Sequence, residues 1–312
     1  MAKDRMSTAT ATPAQTSLFV ANMICMFSML IWAAGLPAAD RLIPMMVHEQ
    51  LNALRMGLAG LAVLIVWAGM EGLRPLFRVN WLKGIAVGSL IGMGAWLLIL
   101  GQARGGAVTA AVISSTLPVV GIALEVVLDG RKISAALVIG LVLSLIGGVL
   151  ALDFKGGSLS LGLGALLCFG SVVTFALGSR LTVTAFPDQT PIGRTAVTLM
   201  GAAIAAVVVS GGQFAIGAAP APDFTTWGVG EVVAILIYAV GGMAISQVLW
   251  IMSVERLGIG LSALHINAAP FYVMLILFAM GHDWIWSQAA AAALVGAGVL
   301  MAQGIIPLGR SR

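Results

Sequence analysis

Charge is what this chain has least of. Only 9% of its 312 residues are Asp, Glu, Lys or Arg, where a soluble globular domain carries about 25%. A fold of this length in water would lack the polar side chains to cover its surface. That excludes an ordinary soluble enzyme, and the 60% hydrophobic content excludes disorder. Cysteine is nearly missing: Cys25 and Cys168 both sit in apolar runs, which is no disulfide framework. With histidine only at 48, 265 and 282, no metal-ligand spacing is present either. The chain has no phosphate-cradling Walker sequence and no nucleophile elbow. No catalytic residue, metal or cofactor is therefore assigned, and no ATPase subunit is implied. The net charge of +4 is scattered rather than clustered, so nucleic acid is not an expected partner.

What the chain has is long apolar runs punctuated by its few charges. A bilayer-spanning helix needs about 20 apolar residues, and such runs fall at 18–38, 50–70, 82–103, 106–128, 133–152, 159–179, 191–211, 228–252, 258–280 and 285–306. Outer-membrane strands are shorter and alternate, so they do not fit. The expectation is an all-α integral membrane protein with ten transmembrane helices. Residues 1–17 and 307–312 read as cytoplasmic tails, the first being polar and without a cleavage signal.

The cations test that count. With the N-terminus inside, Lys3, Arg5, Arg74, Arg78, Lys83, Arg131, Lys132, Arg180, Arg256, Arg310 and Arg312 all fall on the inner side. Arg41, Arg104 and Lys155 fall outside, and Arg55 and Arg194 lie within spans. This asymmetry predicts a multi-pass protein of a bacterial inner membrane with both termini cytoplasmic. Trp67, Trp81, Trp227, Trp284 and Trp286 fall near span ends, as belt tryptophans do.

The halves resemble each other. Aligning Pro118 with Pro270 pairs Gly106 with Gly258 and Ala110 with Ser262; GGVLAL (147–152) meets AGVLMA (297–302), and Arg55 pairs with Arg194. The reading is two five-helix repeats, residues 18–152 and 159–306, joined by a linker at 153–158. Because five is odd, the repeats are inverted, the arrangement from which alternating access arises.

These prolines, the turn Asp129-Gly130-Arg131-Lys132 and the two glycine-rich runs resemble the drug/metabolite transporter superfamily, in its EamA-like branch. The turn departs from the family's Gly-Glu-Arg-like pattern, since arginine stands where glutamate is usual. The resemblance covers roughly residues 20–306. It implies ten helices in two repeats and the export of amino acids or other small metabolites.

Polar and aromatic residues within spans are the site candidates. His265 and Asn267 precede Pro270, which frees a backbone carbonyl four residues back. Ser114 and Ser115 stand in the equivalent place before Pro118. Any of these four lines a cavity or else glues helices together. Trp32, too deep for a belt, joins Trp96, Tyr238, Gln247, Trp250 and Tyr272 as cavity candidates. Tyr238 and Gln247 are nine apart, on opposite faces of a regular α-helix. Pro37, Pro118 and Pro270 are candidate kinks. Arg55, Glu125, Arg194 and Glu231 are candidates for a gate or charge role, with interfacial anchoring as the alternative. Glycines 84, 88 and 92 form a stripe suited to close helix contact.

No acid falls at mid-membrane, which argues against a proton relay and for an aromatic- and hydroxyl-lined route. The expected activity is secondary transport by alternating access, exporting small amphipathic metabolites and most of all amino acids, aromatic or otherwise apolar. A monomer surrounded by lipid is the simplest assembly. The alternatives are a multidrug or cationic-toxin exporter, which would need a buried acid, and a non-transporting membrane enzyme or scaffold.

Overall fold

The computed structural model describes residues 13–150, 162–279, 281, 283, 284 and 286–306. The linker at 153–158, most of both tails, Lys155 and His282 lie outside these residues. Every regular element described is helical: α1 (Pro13–Leu42), α2 (His48–Glu71), α3 (Arg74–Arg78), α4 (Trp81–Ser114), α5 (Leu117–Asp129), α6 (Ala135–Leu150), α7 (Leu163–Ala185), α8 (Pro191–Ala215), α9 (Val229–Leu236), α10 (Ser246–Leu257), α11 (Ile259–Ala263), α12 (Ala269–Ala279) and α13 (Trp286–Ala302). A π-wound segment, Ile237–Ile245, joins α9 to α10 without interruption, and a 3-10 segment, Leu264–Ala268, joins α11 to α12.

Local chemistry sets the boundaries. Thr190 accepts a hydrogen bond from the Gly193 amide and Pro191 follows it, so α8 starts with a side-chain cap and a preset φ. Gly130, at φ 66°, ends α5 in the left-handed conformation that glycine adopts without strain. Two of the three prolines act as starters rather than kinks. The Pro118 ring would clash with the carbonyl four residues earlier, and α4 stops at that residue, Ser114. Pro118 then sits in the first turn of α5, and Pro270 is the second residue of α12. Pro37 lies inside α1, which continues through it. The boundary expected at 104–105 is not a break, because α4 runs on to Ser114; Gly105 and Gly106 alone do not stop a helix whose backbone has no water to turn to.

Among the described residues, six helical stretches are long and apolar enough to cross a membrane: Leu18–Met45, His48–Glu71, Trp81–Arg104, Leu163–Ala185, Pro191–Ala215 and Val229–Leu257. Ala135–Gly147, Ile259–Ala268 and Ala289–Ala302 are shorter apolar helices. Large apolar side chains face outward, among them Ile65, Met70, Val208, Phe214 and Val232. Asn52, Arg55, Ser171, Arg194, Thr198 and Gln247 face inward. The chain is thus an all-α, multi-span membrane bundle with lipid as the solvent for its apolar exterior.

Pairwise packing is specific. α2 lies on α8, α4 on α7 and α8, α1 on α10 and the π segment, α5 on α11, and α6 on α13. Small residues allow these approaches: a Cβ at Gly88 would run into the Thr198 carbonyl and the Ala202 amide of α8, as the glycine stripe predicts. Trp67 corrects its expected belt placement. It is fully buried in the core with Met56, Ile91, Val197 and Leu199, because Gly193 of α8 leaves room for its ring.

Candidate functional site

A cavity of about 80 Å³ opens between α1, α2, α4, α7 and α10, enough for several waters on a scale where one needs about 10–15 Å³. Its aromatic wall is Trp32, Phe175 and Trp250. Phe175 and Trp250 stand with ring centroids 6.0 Å apart, and Trp250 Nε1 donates to Ser179 Oγ at 3.1 Å. Its polar lining is Arg55, Ser114, Ser171, Ser246 and Gln247. Arg55 alone is ionisable among the described lining residues.

Arg55 is 5% exposed. One terminal nitrogen donates to the Tyr238 hydroxyl at 2.9 Å, and the guanidinium carbon lies 3.9 Å from the centre of the Tyr238 ring. Stacking on the ring face and bonding to its hydroxyl fix the side chain. Its Nε has no partner, and neither does the buried Nε2 of Gln247. A buried intramembrane cation without an acid beside it is expensive and points to a task.

The sequence candidates divide on this geometry. Trp32, Ser114, Gln247 and Trp250 line the cavity; Arg55, a candidate for a charge role, joins them. Tyr238 reaches the cavity only through Arg55. Of Tyr238 and Gln247, nine residues apart, Gln247 is in the lining and Tyr238 is not, and the segment Ile237–Ile245 between them is π-wound. Trp96 is outside the lining and donates to Glu49 at 3.1 Å. Ser115 lies in the turn between α4 and α5, also outside the lining. His265 and Asn267 are buried and outside the lining, and of the two Asn267 bonds to another helix. The His265 ring nitrogen Nδ1 lies 3.2 Å from the Ser262 carbonyl. Asn267 donates to Ser144 Oγ at 3.0 Å, tying the 3-10 segment to α6; that winding, rather than α geometry, sets their direction. Tyr272 is buried with Cys25, Met29 and Trp250 behind the cavity wall.

The remaining charged candidates hold the ends of the bundle. Arg194 makes three bonds: Nε to the Phe186 carbonyl at 2.9 Å, one terminal nitrogen to Glu255 at 2.8 Å and the other to the Pro187 carbonyl at 3.2 Å. Glu125 pairs with Arg131 and accepts from the Gly260 amide at 2.9 Å, which joins α5 to α11. At the same end Asp129 pairs with Arg180, whose hydrogen bond holds that carboxyl below its usual range. Glu231 pairs with Arg41 at the opposite end and accepts from the Gly228 amide at 2.8 Å.

Ser171, Phe175 and Ser246 also line the cavity, and sequence reasoning passed over them. Ser171 and Phe175 are four apart on α7 and so share a face, but a serine in an apolar helix carries the same signal as helix glue.

A multi-span bundle of this kind, closed around a small polar and aromatic cavity, is the architecture of a protein that passes a solute through the membrane. The comparisons agree. Residues 19–152 match the EamA-like transporter family. The uncharacterized transporter YyaM of Bacillus subtilis (strain 168) is 27% identical over 262 residues, covering 81% of this chain and 84% of its own. A solved crystal structure of another protein, 22% identical, covers 92% of this chain and 97% of that one with a TM-score of 0.73; at that identity it speaks for the fold alone. Over residues 19–152 this chain thus resembles the EamA-like transporters, a likeness to a family of transporters and not of enzymes. Its general activity is the movement of a small molecule across a lipid membrane.

Proposed function

We propose that this protein is a secondary transporter of the bacterial inner membrane that exports small amphipathic metabolites, foremost amino acids with aromatic or other apolar side chains. The observation that carries this reading is the composition of the cavity: three aromatic rings for an apolar body, beside hydroxyls, an amide and a guanidinium for a polar head. A single bundle large enough to hold its own pathway makes a monomer the simplest assembly.

Ten helices in two inverted repeats, 18–152 and 159–306, suit the packing. If each span of the first repeat corresponds to the span five later, contacts should recur in exchanged pairs. The contact of α4 with α7 has its counterpart in α1 with α10, and that of α4 with α8 in α2 with the π segment. The contacts of α2 with α8, α5 with α11, and α6 with α13 are their own counterparts. A cavity between such halves is exposed alternately as they rock, with both termini cytoplasmic on the charge rule.

The multidrug or cationic-toxin alternative is disfavoured, since the cavity presents a cation and, among its described lining residues, no acid. Counterflow in proteoliposomes tests the reading. Vesicles preloaded with phenylalanine, leucine or tryptophan should accumulate the labelled amino acid faster than protein-free vesicles. Equal rates for every amino acid tried would end the amino-acid reading, and uptake of organic cations that Glu125→Gln or Glu231→Gln abolishes would favour the alternative.

A further inference from the structure

We propose that Arg55 and Gln247 form a carboxylate-binding site, so that the substrates are small carboxylates with an apolar body and the substrate's amino group is dispensable. The proposal rests on the cavity being the transport site and names the chemistry that the cavity selects.

The two side chains come from opposite halves of the sequence, α2 and α10, and both line the same cavity. Each is more than nine-tenths buried, with 5% of Arg55 and 4% of Gln247 exposed. Each keeps a donor without a partner, the Arg55 Nε and the Gln247 Nε2. Buried donors are almost always satisfied, and two orphans around one space call for an acceptor within it. A carboxylate meets both demands: it neutralises the guanidinium and accepts several hydrogen bonds in the planar arrangement that arginine presents. A neutral acceptor would leave the charge uncompensated in a low-dielectric site.

Tyr238 preorganises the arginine. Its hydroxyl takes one terminal nitrogen and its ring supports the guanidinium from one face, leaving the Nε edge free. Contrast Arg194, the corresponding residue of the second half, where each of the three nitrogens already bonds a protein acceptor, two carbonyls and Glu255. Across from the charge, Trp32, Phe175 and Trp250 supply an apolar wall. No described lining residue is an acid, so nothing there pairs with an ammonium group. A substrate lacking the amine therefore loses no ion pair, whereas one lacking the carboxylate loses its anchor.

The experiment uses full-length protein in detergent micelles and measures equilibrium binding of radiolabelled 3-phenylpropionate. Unlabelled 4-methylpentanoate, phenylalanine and 2-phenylethylamine serve as competitors. Phenylalanine counterflow is run in parallel on the same preparation. The acids and phenylalanine should displace the label, and the amine should not. Arg55→Gln should weaken binding by at least about tenfold, the loss expected for hydrogen bonds to a charged group, and Arg55→Lys should retain part of it. Gln247→Leu leaves the arginine in place and should also weaken the acid; it decides the matter if Arg55→Gln elutes as aggregate. Displacement by the amine as effective as by the acid overturns the proposal. So does wild-type affinity in Arg55→Gln or Gln247→Leu, or no binding of either acid. If counterflow is absent while the acids bind through Arg55, the amino-acid transport reading fails and the site stands. If counterflow proceeds while the acids do not bind, the reverse holds.

Discussion

At Gly88 α4 lies close against α8, and the cost of one methyl group there follows from the structure. A Cβ on Gly88 would overlap the Thr198 carbonyl oxygen and the Ala202 amide nitrogen, both backbone atoms in the middle of α8. Backbone does not rotate aside, so Gly88→Ala must push the two helices apart. Overpacking of this kind costs about 1–3 kcal/mol. At Gly84, one turn earlier, the first obstacle is a Val197 side-chain methyl and the nearest backbone atom is farther off, at 3.3 Å; a helical valine is stiff, so Gly84→Ala should cost less than Gly88→Ala but still destabilise. At Gly57 of α2 nothing lies within 4 Å of the added Cβ, and Gly57→Ala should stay within about 0.5 kcal/mol of wild type. Thermal unfolding in detergent, followed by tryptophan fluorescence, should rank the midpoints Gly57→Ala, then Gly84→Ala, then Gly88→Ala lowest. If Gly88→Ala melts together with Gly57→Ala, the close α4–α8 approach is wrong.

Other expectations follow from the ends of the bundle. Arg194→Ala removes three hydrogen bonds from a buried side chain and should lower stability by about 2–4 kcal/mol. Glu255→Gln, at a carboxyl 37% exposed, should cost no more than about 1 kcal/mol; equal losses in the same melts would mean that the two carbonyl bonds do not form. Gly258 sits at φ 80° with its Cβ direction aimed at the Glu125 carboxylate. Gly258→Ala should therefore destabilise by at least about 1–3 kcal/mol, and Glu125→Ala made together with it should recover part of that loss, an outcome read from the double mutant's midpoint. For topology, reporter fusions after residues 73 and 257 should report the cytoplasm, and fusions after 46 and 221 the opposite side. Four fusions reporting one side would break the ten-span count.

The bundle was legible in the sequence because lipid imposes a simple rule: long apolar runs, with cations at their ends. The helix start at Pro191 was legible as the start of a span, whereas Pro118 and Pro270 read as kinks within spans and instead open α5 and α12. Part of the cavity lining was legible too, through Trp32, Arg55, Ser114, Gln247 and Trp250. What could not be read was rotation. His265 and Asn267 look like Ser114 in the sequence, a polar residue shortly before a helix proline. Yet a 3-10 turn aims them at Ser262 and Ser144, and no local pattern announces that winding. Trp67 misled because position near a span end says nothing of which neighbour leaves room for a ring. Arg55 and Arg194 were legible as a pair, but their opposite fates were not. A sequence shows that both are arginines, and only packing shows that one meets Glu255 and the other a tyrosine.

The polar contacts are distributed unevenly between the two ends, and this bears on how such a bundle could move. The end that gathers Glu71, Lys83, Asp129 and Arg180 carries several contacts between the two proposed repeats, among them Asn22 with Gln303. Thr190 donates to Glu71 at 2.5 Å, Lys83 donates to the Ala185 carbonyl at 2.5 Å, Arg180 pairs with Asp129, and the Gly260 amide donates to Glu125. The opposite end joins the repeats through Arg41 with Glu231 and through Gln50, which donates to the Pro220 carbonyl at 2.6 Å. The exposed pairs are worth about 0–1 kcal/mol each and the buried bond to Glu125 about 1.5–3 kcal/mol, so these polar contacts together contribute a few kcal/mol. That is the size a reversible two-state exchange requires, because a much stronger latch would leave the other state too rare to be used. On the alternating-access reading the richer end is the closed one in this structure. Weakening it with Lys83→Met and Asp129→Asn should raise the labelling of a cysteine placed at Ser179, behind Trp250, by a membrane-impermeant thiol reagent added from that side. The same pair of substitutions should leave labelling from the other side unchanged or lower. An increase from both sides alike would indicate general loosening instead of a shift between two states.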